Sequence, residues 1–183
     1  FDLPGDDECP DLYPLTADDG RMLWVYSGAH DMYFVGDFDE NGLYQPIQSV
    51  GQLSYNSQSY AAQTYYYEPG KPVIRFAWNR SDIPGAPFNG SMCTPTEMTL
   101  KKHGDRYYLS ALPIKSTENL VVKSDKLDDF TLTHCTHELG SKTCRISFTV
   151  KEGDLTCDLY GLEMKLDKNG LTCGESILPR LKN

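Results

Sequence analysis

The chain has 183 residues, enough for one ordinary domain or two small modules. Hydrophobic residues make up 39% and charged residues 23%, a balance too apolar for a disordered chain. The net charge of −9 speaks against nucleic acid and against an anionic membrane as partners, since both call for a basic stripe, and it suits a neutral ligand held by hydrogen bonds.

In chain order, the first residues, Phe1 to Asp7, are acidic and lack the basic-then-apolar pattern of a signal peptide. They read as part of something longer or as a trimmed start. Glu8-Cys9-Pro10 follows. Pro10 fixes its own φ and pushes Cys9 toward an extended conformation, so the step can hold the Glu8 carboxylate in one place before a short strand. On these residues alone two readings stand: a catalytic carboxylate, or a solvated acidic loop of Asp6, Asp7 and Glu8.

Strand signals then dominate. Arg21–Ser27 and Met32–Phe38 are rich in β-formers. Asn41-Gly42 predicts a type I′ hairpin turn, with Leu43–Val50 returning. Ser59–Tyr67 and Pro72–Trp78 are the next strands, followed by a Pro- and Gly-rich loop over residues 79–90. Thr96–Lys102 and Arg106–Leu112 form a hairpin around His103-Gly104-Asp105. Beyond about Pro113 aromatics thin out, and the predicted strands are Thr131–Cys135, Cys144–Lys151, Leu155–Tyr160, Glu163–Leu166 and Gly170–Cys173. No segment of ten or more residues has a helical period, and no apolar run approaches the ~18 residues of a membrane span. Strands this evenly spaced predict an all-β sandwich, barrel or propeller.

Several segments resemble glycoside hydrolase family 32, the family of invertases, levanases and inulinases. Glu8-Cys9-Pro10-Asp11-Leu12-Tyr13 resembles its E-C-P motif. Tyr33–Asp39 is similar to a strand ending in G-x-F/D-D, and Ser59–Tyr65 to Y-A-A-Q-T-F. Val73–Trp78 is similar to R-x-I-x-x-x-W, slightly displaced, and Gly90–Leu100 to G-x-M-T-L-P-R-E-L-x-L. The matches are collinear over residues 7–112, which makes the set far more specific than any one motif. There are departures: Ser54-Tyr55-Asn56 stands where the family has D-Y-G, and Thr96 where it has the Arg of P-R-E.

The resemblance implies a partial five-bladed β-propeller of about two blades over residues 1–113, followed by a truncated β-sandwich over 114–183. It implies a retaining β-fructofuranosidase that hydrolyses fructosyl linkages in sucrose or fructans, with Glu8 as general acid/base. That role calls for a raised pKa, through burial or a neighbouring carboxylate. The family's nucleophile, in W-M-N-D-P-N-G, and its R-D-P motif do not occur in these residues. A retaining glycosidase needs two carboxyl groups about 5–5.5 Å apart. The chain alone is therefore expected to be inactive, and to associate with the N-terminal half of the propeller or with itself through bare sheet faces and edges. A non-catalytic fructan-binding or assembly module is the competing reading.

Tyr55, Tyr60 and Trp78 are the candidate sugar contacts. Tyr60, Tyr65, Tyr66, Tyr67 and Trp78 can form a stacking platform or simply pack between sheets. No cofactor or metal is expected: His134-Cys135-Thr136-His137 with Cys144 matches no zinc spacing, and adjacent strand residues face opposite sides. The six cysteines contain no C-x-x-C. They read as free thiols, with a Cys135–Cys144 bridge left open, and tilt the expected location toward the cytoplasm. Asn79-Arg80-Ser81 and Asn89-Gly90-Ser91 fit the glycosylation pattern, which matters only in a secreted eukaryotic protein.

Overall fold

A computed structural model describes residues 7–65, 68, 70–126, 136–140 and 144–179. The predicted strand Thr131–Cys135, His134, Tyr66 and Tyr67 lie outside the described residues, as does the Cys135 half of the possible bridge.

The described chain forms three antiparallel sheets. The first contains β1 (Asp11–Thr16), β2 (Met22–Ser27), β3 (Met32–Phe38) and β4 (Tyr44–Pro46) in sequential order, with β5 (Gly51–Gln52) also paired to β3. The second contains β6 (Ser59–Thr64), β7 (Ile74–Asn79), β9 (Thr96–His103) and β10 (Arg106–Pro113), again in sequential order, with the short β8 (Ser91–Met92) on β7. The third contains β11 (Leu155–Leu159), β12 (Leu162–Asp167), β13 (Gly170–Cys173) and β14 (Ser176–Pro179). A 3-10 turn, Lys115–Leu120, follows β10.

In each of the first two sheets four strands form a meander with a short fifth strand beside it, and the two sheets stack face to face, as neighbouring propeller blades do. Alternation along the strands selects the buried face. Leu15, Leu23, Val25, Tyr33 and Val35 from the first blade meet Val73, Met98, Leu100, Tyr107 and Leu109 from the second in one core cluster. Leu23, Val25 and Val35 are fully buried. At about 25 cal/mol per Å2 of apolar surface removed from water, this shared layer is the main attraction between the blades.

One predicted turn and the strand that follows it fold differently. Residues 40–42 form a three-residue loop in which only Gly42, at φ +74°, is left-handed. Gly42 N–H donates to the Asp39 carbonyl, and the Asp39 carboxylate accepts from the amides of Asn41 and Leu43. This is a type I turn followed by a left-handed glycine, not the predicted type I′. The returning strand is only Tyr44–Pro46, not Leu43–Val50. Gln48 leaves the sheet because its side-chain amide bonds both main-chain groups of Tyr107, at 2.8 Å each. The next outward amide of β10, Leu109 N–H, donates to the Tyr33 hydroxyl at 3.1 Å.

The predicted strand Cys144–Lys151 is irregular. Its alternating apolar residues pair with no strand among the described residues, and Ile146 and Phe148 stay exposed. The third sheet touches the blades where the Ser176 hydroxyl donates to the Tyr55 carbonyl at 2.8 Å. Among the described residues of 114–183 this sheet stands alone, without the facing sheet a sandwich requires.

Candidate functional site

Glu8 precedes β1, the first strand of the first blade. Its carbonyl accepts the Ala29 N–H at 2.9 Å. Cys9 is not extended, as Pro10 predicts, but left-handed at φ +49°. Such a conformation persists only where the surroundings over-determine it. Here the Gln63 side chain donates to the Cys9 carbonyl at 2.8 Å, and two residues on the Asp11 carboxylate accepts the Thr64 N–H at 2.5 Å. Tertiary bonds from β6 thus override the local preference.

The Glu8 side chain is exposed, not buried. Its Oε2 accepts a hydrogen bond from the Tyr60 hydroxyl. Tyr60 is the second residue of β6, where a bulge between Tyr60 and Gln63 breaks the register with β7 and Ala61 is left-handed at φ +51°. Bulges re-aim side chains, and this one accompanies the reach of Tyr60 toward Glu8. The Tyr60 ring meets His30 edge-on at 4.8 Å and Trp78 at 6.4 Å between centroids. The Arg80 guanidinium lies 4.1 Å from the ring centre, a cation–π contact. The phenol is held above its ordinary value of 10.0, first by the hydrogen bond to Glu8, then by desolvation and the Glu8 charge, with Arg80 opposing.

Trp78 pairs across from Tyr60 in the β6–β7 ladder and is 43% exposed. Gly90 abuts its indole: a Cβ there would strike Trp78 Nε1, and the glycine sits at φ +73°. Only glycine suits both constraints. Glu8, Tyr60 and Trp78 therefore share one contiguous surface. Tyr55 lies apart from that chain of contacts, exposed in the loop before β6, where its nearness helps raise the Tyr33 phenol after the larger effect of burial.

Sequence reasoning assigned no role to His30, Arg80, Gln63, Ser59, Asp31 or Arg75. Ser59, Gln63 and Arg75 stand inside segments that resemble the family, and that is their only signal. Asp31 and Arg75 form a buried ion pair between the blades. Arg75 Nη2 is 2.5 Å from each Asp31 oxygen, its Nε is 3.1 Å from Oδ1, and the Ser59 hydroxyl bridges the two groups.

The chemistry divides the carboxylates. Asp11 is committed to a main-chain amide and Asp31 to Arg75, so both are structural. Glu8 is open to solvent beside a phenol donor, aromatic faces and a cation. That arrangement can exchange a proton with a bound neutral molecule and stack against its apolar face.

Residues 5–111 match the family model described as the Glycosyl hydrolases family 32 N-terminal domain. A fructan beta-fructosidase from Streptococcus mutans serotype c is 29% identical over 139 residues, covering 62% of this chain and 10% of its own length. Levanbiose-producing levanases from Bacillus subtilis (strain 168) and Geobacillus stearothermophilus are each 27% identical over 179 residues, covering 86% of this chain and 33% and 43% of their own lengths. Among solved structures, exo-inulinase from Aspergillus awamori superposes with a TM-score of 0.52 at 24% identity, over 62% of this chain and 27% of that one, a likeness of fold. The chain spans less than half the length of each of these relatives. With more than half of its residues inside the family model, the chain belongs to glycosyl hydrolase family 32.

Proposed function

We propose that this chain is the acid/base-bearing portion of a retaining β-fructofuranosidase acting on sucrose or fructans, with Glu8 as the proton donor. The observation that carries the reading is the solvent-open Glu8 carboxylate bonded to the Tyr60 hydroxyl, on the surface shared with Trp78. The named activities of the fructan beta-fructosidase and the levanases support a fructose-containing saccharide as substrate. In this mechanism Glu8 protonates the leaving glycosidic oxygen and then draws a proton from the attacking water. The covalent step needs a second carboxylate, which these residues do not supply in the family's motif.

The chain alone is accordingly proposed to be inactive and to assemble with a polypeptide that carries the nucleophile, or with itself. The face of the first blade turned away from the core supports this. Met22, Leu12 and Phe38 are 52%, 42% and 39% exposed there. Phe38 packs edge-on against Trp24 at 5.3 Å and Tyr44 at 5.8 Å. An apolar aromatic face of this kind suits contact with another sheet.

The test is fructose release from sucrose, levan and inulin by the purified chain, alone and with a separate polypeptide bearing W-M-N-D-P-N-G. Release is expected only from the mixture. Glu8→Gln is expected to lower it by at least about 100-fold while fructan binding stays within about threefold. Glu8-dependent release by the chain alone would overturn the predicted inactivity, and equal loss of binding and release would make Glu8 structural. The second reading, a non-catalytic fructan-binding module, rests on the exposed Trp78 beside Tyr60. Fructan binding with no release from the mixture would favour it.

A further inference from the structure

The Asp31–Arg75–Ser59 cluster is the most deeply buried set of charged groups described in the chain, and the acid/base chemistry above does not use it. Its connections lead to Glu8 from two directions. Asp31 ends the turn after β2, where its N–H donates to the Gly28 carbonyl at 3.1 Å and its own carbonyl accepts from Leu53 at 2.9 Å. It is held left-handed at φ +64°. Two residues earlier in this turn, Ala29 donates its N–H to the Glu8 carbonyl and accepts the Ala61 N–H on its own carbonyl, each at 2.9 Å. The Ser59 hydroxyl, bonded to Asp31 at 3.1 Å, belongs to the residue immediately before Tyr60.

We propose that the Asp31–Arg75–Ser59 cluster is a positioning device: it fixes the turn over residues 28–31 against β6, so that Ala29 holds the Glu8 backbone and the Tyr60–Ala61 backbone at the separation their side-chain hydrogen bond requires. Asp31, Arg75 and Ser59 are positioning residues, acting through Ala29 and Tyr60. Arg75 suits the task because its planar fork fixes the carboxylate in one orientation, which a lysine ammonium does not. The inference rests on the reading of Glu8 as proton donor for its catalytic meaning, but its mechanical content is independent of any substrate.

The experiment uses the chain labelled with 13Cζ-tyrosine, with the Tyr60 signal assigned by its loss in Tyr60→Phe. Tyr60 is expected to titrate above 10.0 in the unaltered chain and lower in Glu8→Gln. Ser59→Ala removes one hydroxyl and leaves the ion pair, and Arg75→Lys keeps the charge and loses the fork. Each is expected to move the Tyr60 titration at least halfway to its value in Glu8→Gln. Amide hydrogen exchange at Ala29 and Ala61 should quicken at least about tenfold, while Val25 and Val35 in the core exchange as before. Those core amides separate a loosened turn from a weakened fold. If Arg75→Lys fails to fold, Ser59→Ala decides alone. Unchanged Tyr60 titration and unchanged Ala29 and Ala61 exchange in a folded Ser59→Ala chain would overturn the inference, as would a Tyr60 titration indifferent to Glu8→Gln. Absence of fructan hydrolysis from the mixture with the nucleophile-bearing polypeptide would count against the enzymatic reading and leave these measurements standing.

Discussion

The pair of blades and the C-terminal sheet are built from the same element, a four-stranded antiparallel meander, and differ in how it is covered. Each blade lays one face on the other, and Leu23, Val25 and Val35 lose all contact with solvent. In the sheet of residues 155–179 the only described residue classed as buried is Gly170. Leu162, Ile177 and Leu178 are exposed, and Leu166 is half-buried. Hydrogen bonding is comparable in kind, since both are antiparallel ladders, broken in the blades only by the β6 bulge among the described pairs. A facing layer supplies the difference, and stability should follow the layer rather than the ladder.

The largest effect is expected at the ion pair that joins the blades. Arg75→Ala leaves the Asp31 carboxylate buried without its partner and should cost ~3–5 kcal/mol, read as a lowered urea midpoint of the blade transition. A loss under about 1 kcal/mol would mean that solvent reaches Asp31 and that the pair does not clamp the blades. Next come matched truncations. Leu23→Ala should cost ~2–5 kcal/mol, because the cavity cannot collapse. Leu166→Ala, in the uncovered sheet, should cost under about 1 kcal/mol. Similar losses at the two positions would erase the contrast between the regions.

The smallest effect is acid sensitivity. Asp19 is held below its ordinary 3.8 chiefly by the Arg21 amide, with Tyr107 and Lys102 also bonded to it, and Asp39 is lowered by the Leu43 amide. In the C-terminal sheet Asp167 is lowered by the Asn169 amide. A carboxylate with a depressed folded pKa contributes stability above its unfolded value, and that contribution is lost as pH falls through the folded pKa. The urea midpoint of the blade transition should therefore drop as pH is taken below about 4. Asp19→Asn should shrink the drop, while Asp167→Asn should leave it as it was. A midpoint indifferent to Asp19→Asn would show that this surface group is screened by solvent.

Much of the fold was legible because strand alternation is a local property. Met22–Ser27, Met32–Phe38 and the Thr96–Pro113 hairpin lie where β-formers and turn residues place them. The readings that failed depended on partners elsewhere. Leu43–Val50 is cut short because Gln48 binds Tyr107, 59 residues away. Cys144–Lys151 alternates suitably but joins no strand edge among the described residues. In the candidate site, motif segments brought Glu8, Tyr60 and Trp78 to notice. The bulge that turns Tyr60 and the left-handed Cys9 were hidden, since local rules gave Cys9 the opposite conformation. Asp31 carried no local signal, because Arg75 is 44 residues away.

Side chains borrowed from the first blade occupy the outer margin of β10, and this limits how the molecule can adhere to others. An outermost strand ordinarily offers its free amides and carbonyls as a template on which a foreign strand can polymerise. At Tyr107 the Gln48 carboxamide already imitates such a strand, and at Leu109 the Tyr33 hydroxyl takes the next vacancy. An incoming chain would have to evict both before it could zip along this border. Docking through the flat aromatic side of the first blade remains open, whereas amyloid-like growth from β10 is blocked by two side chains.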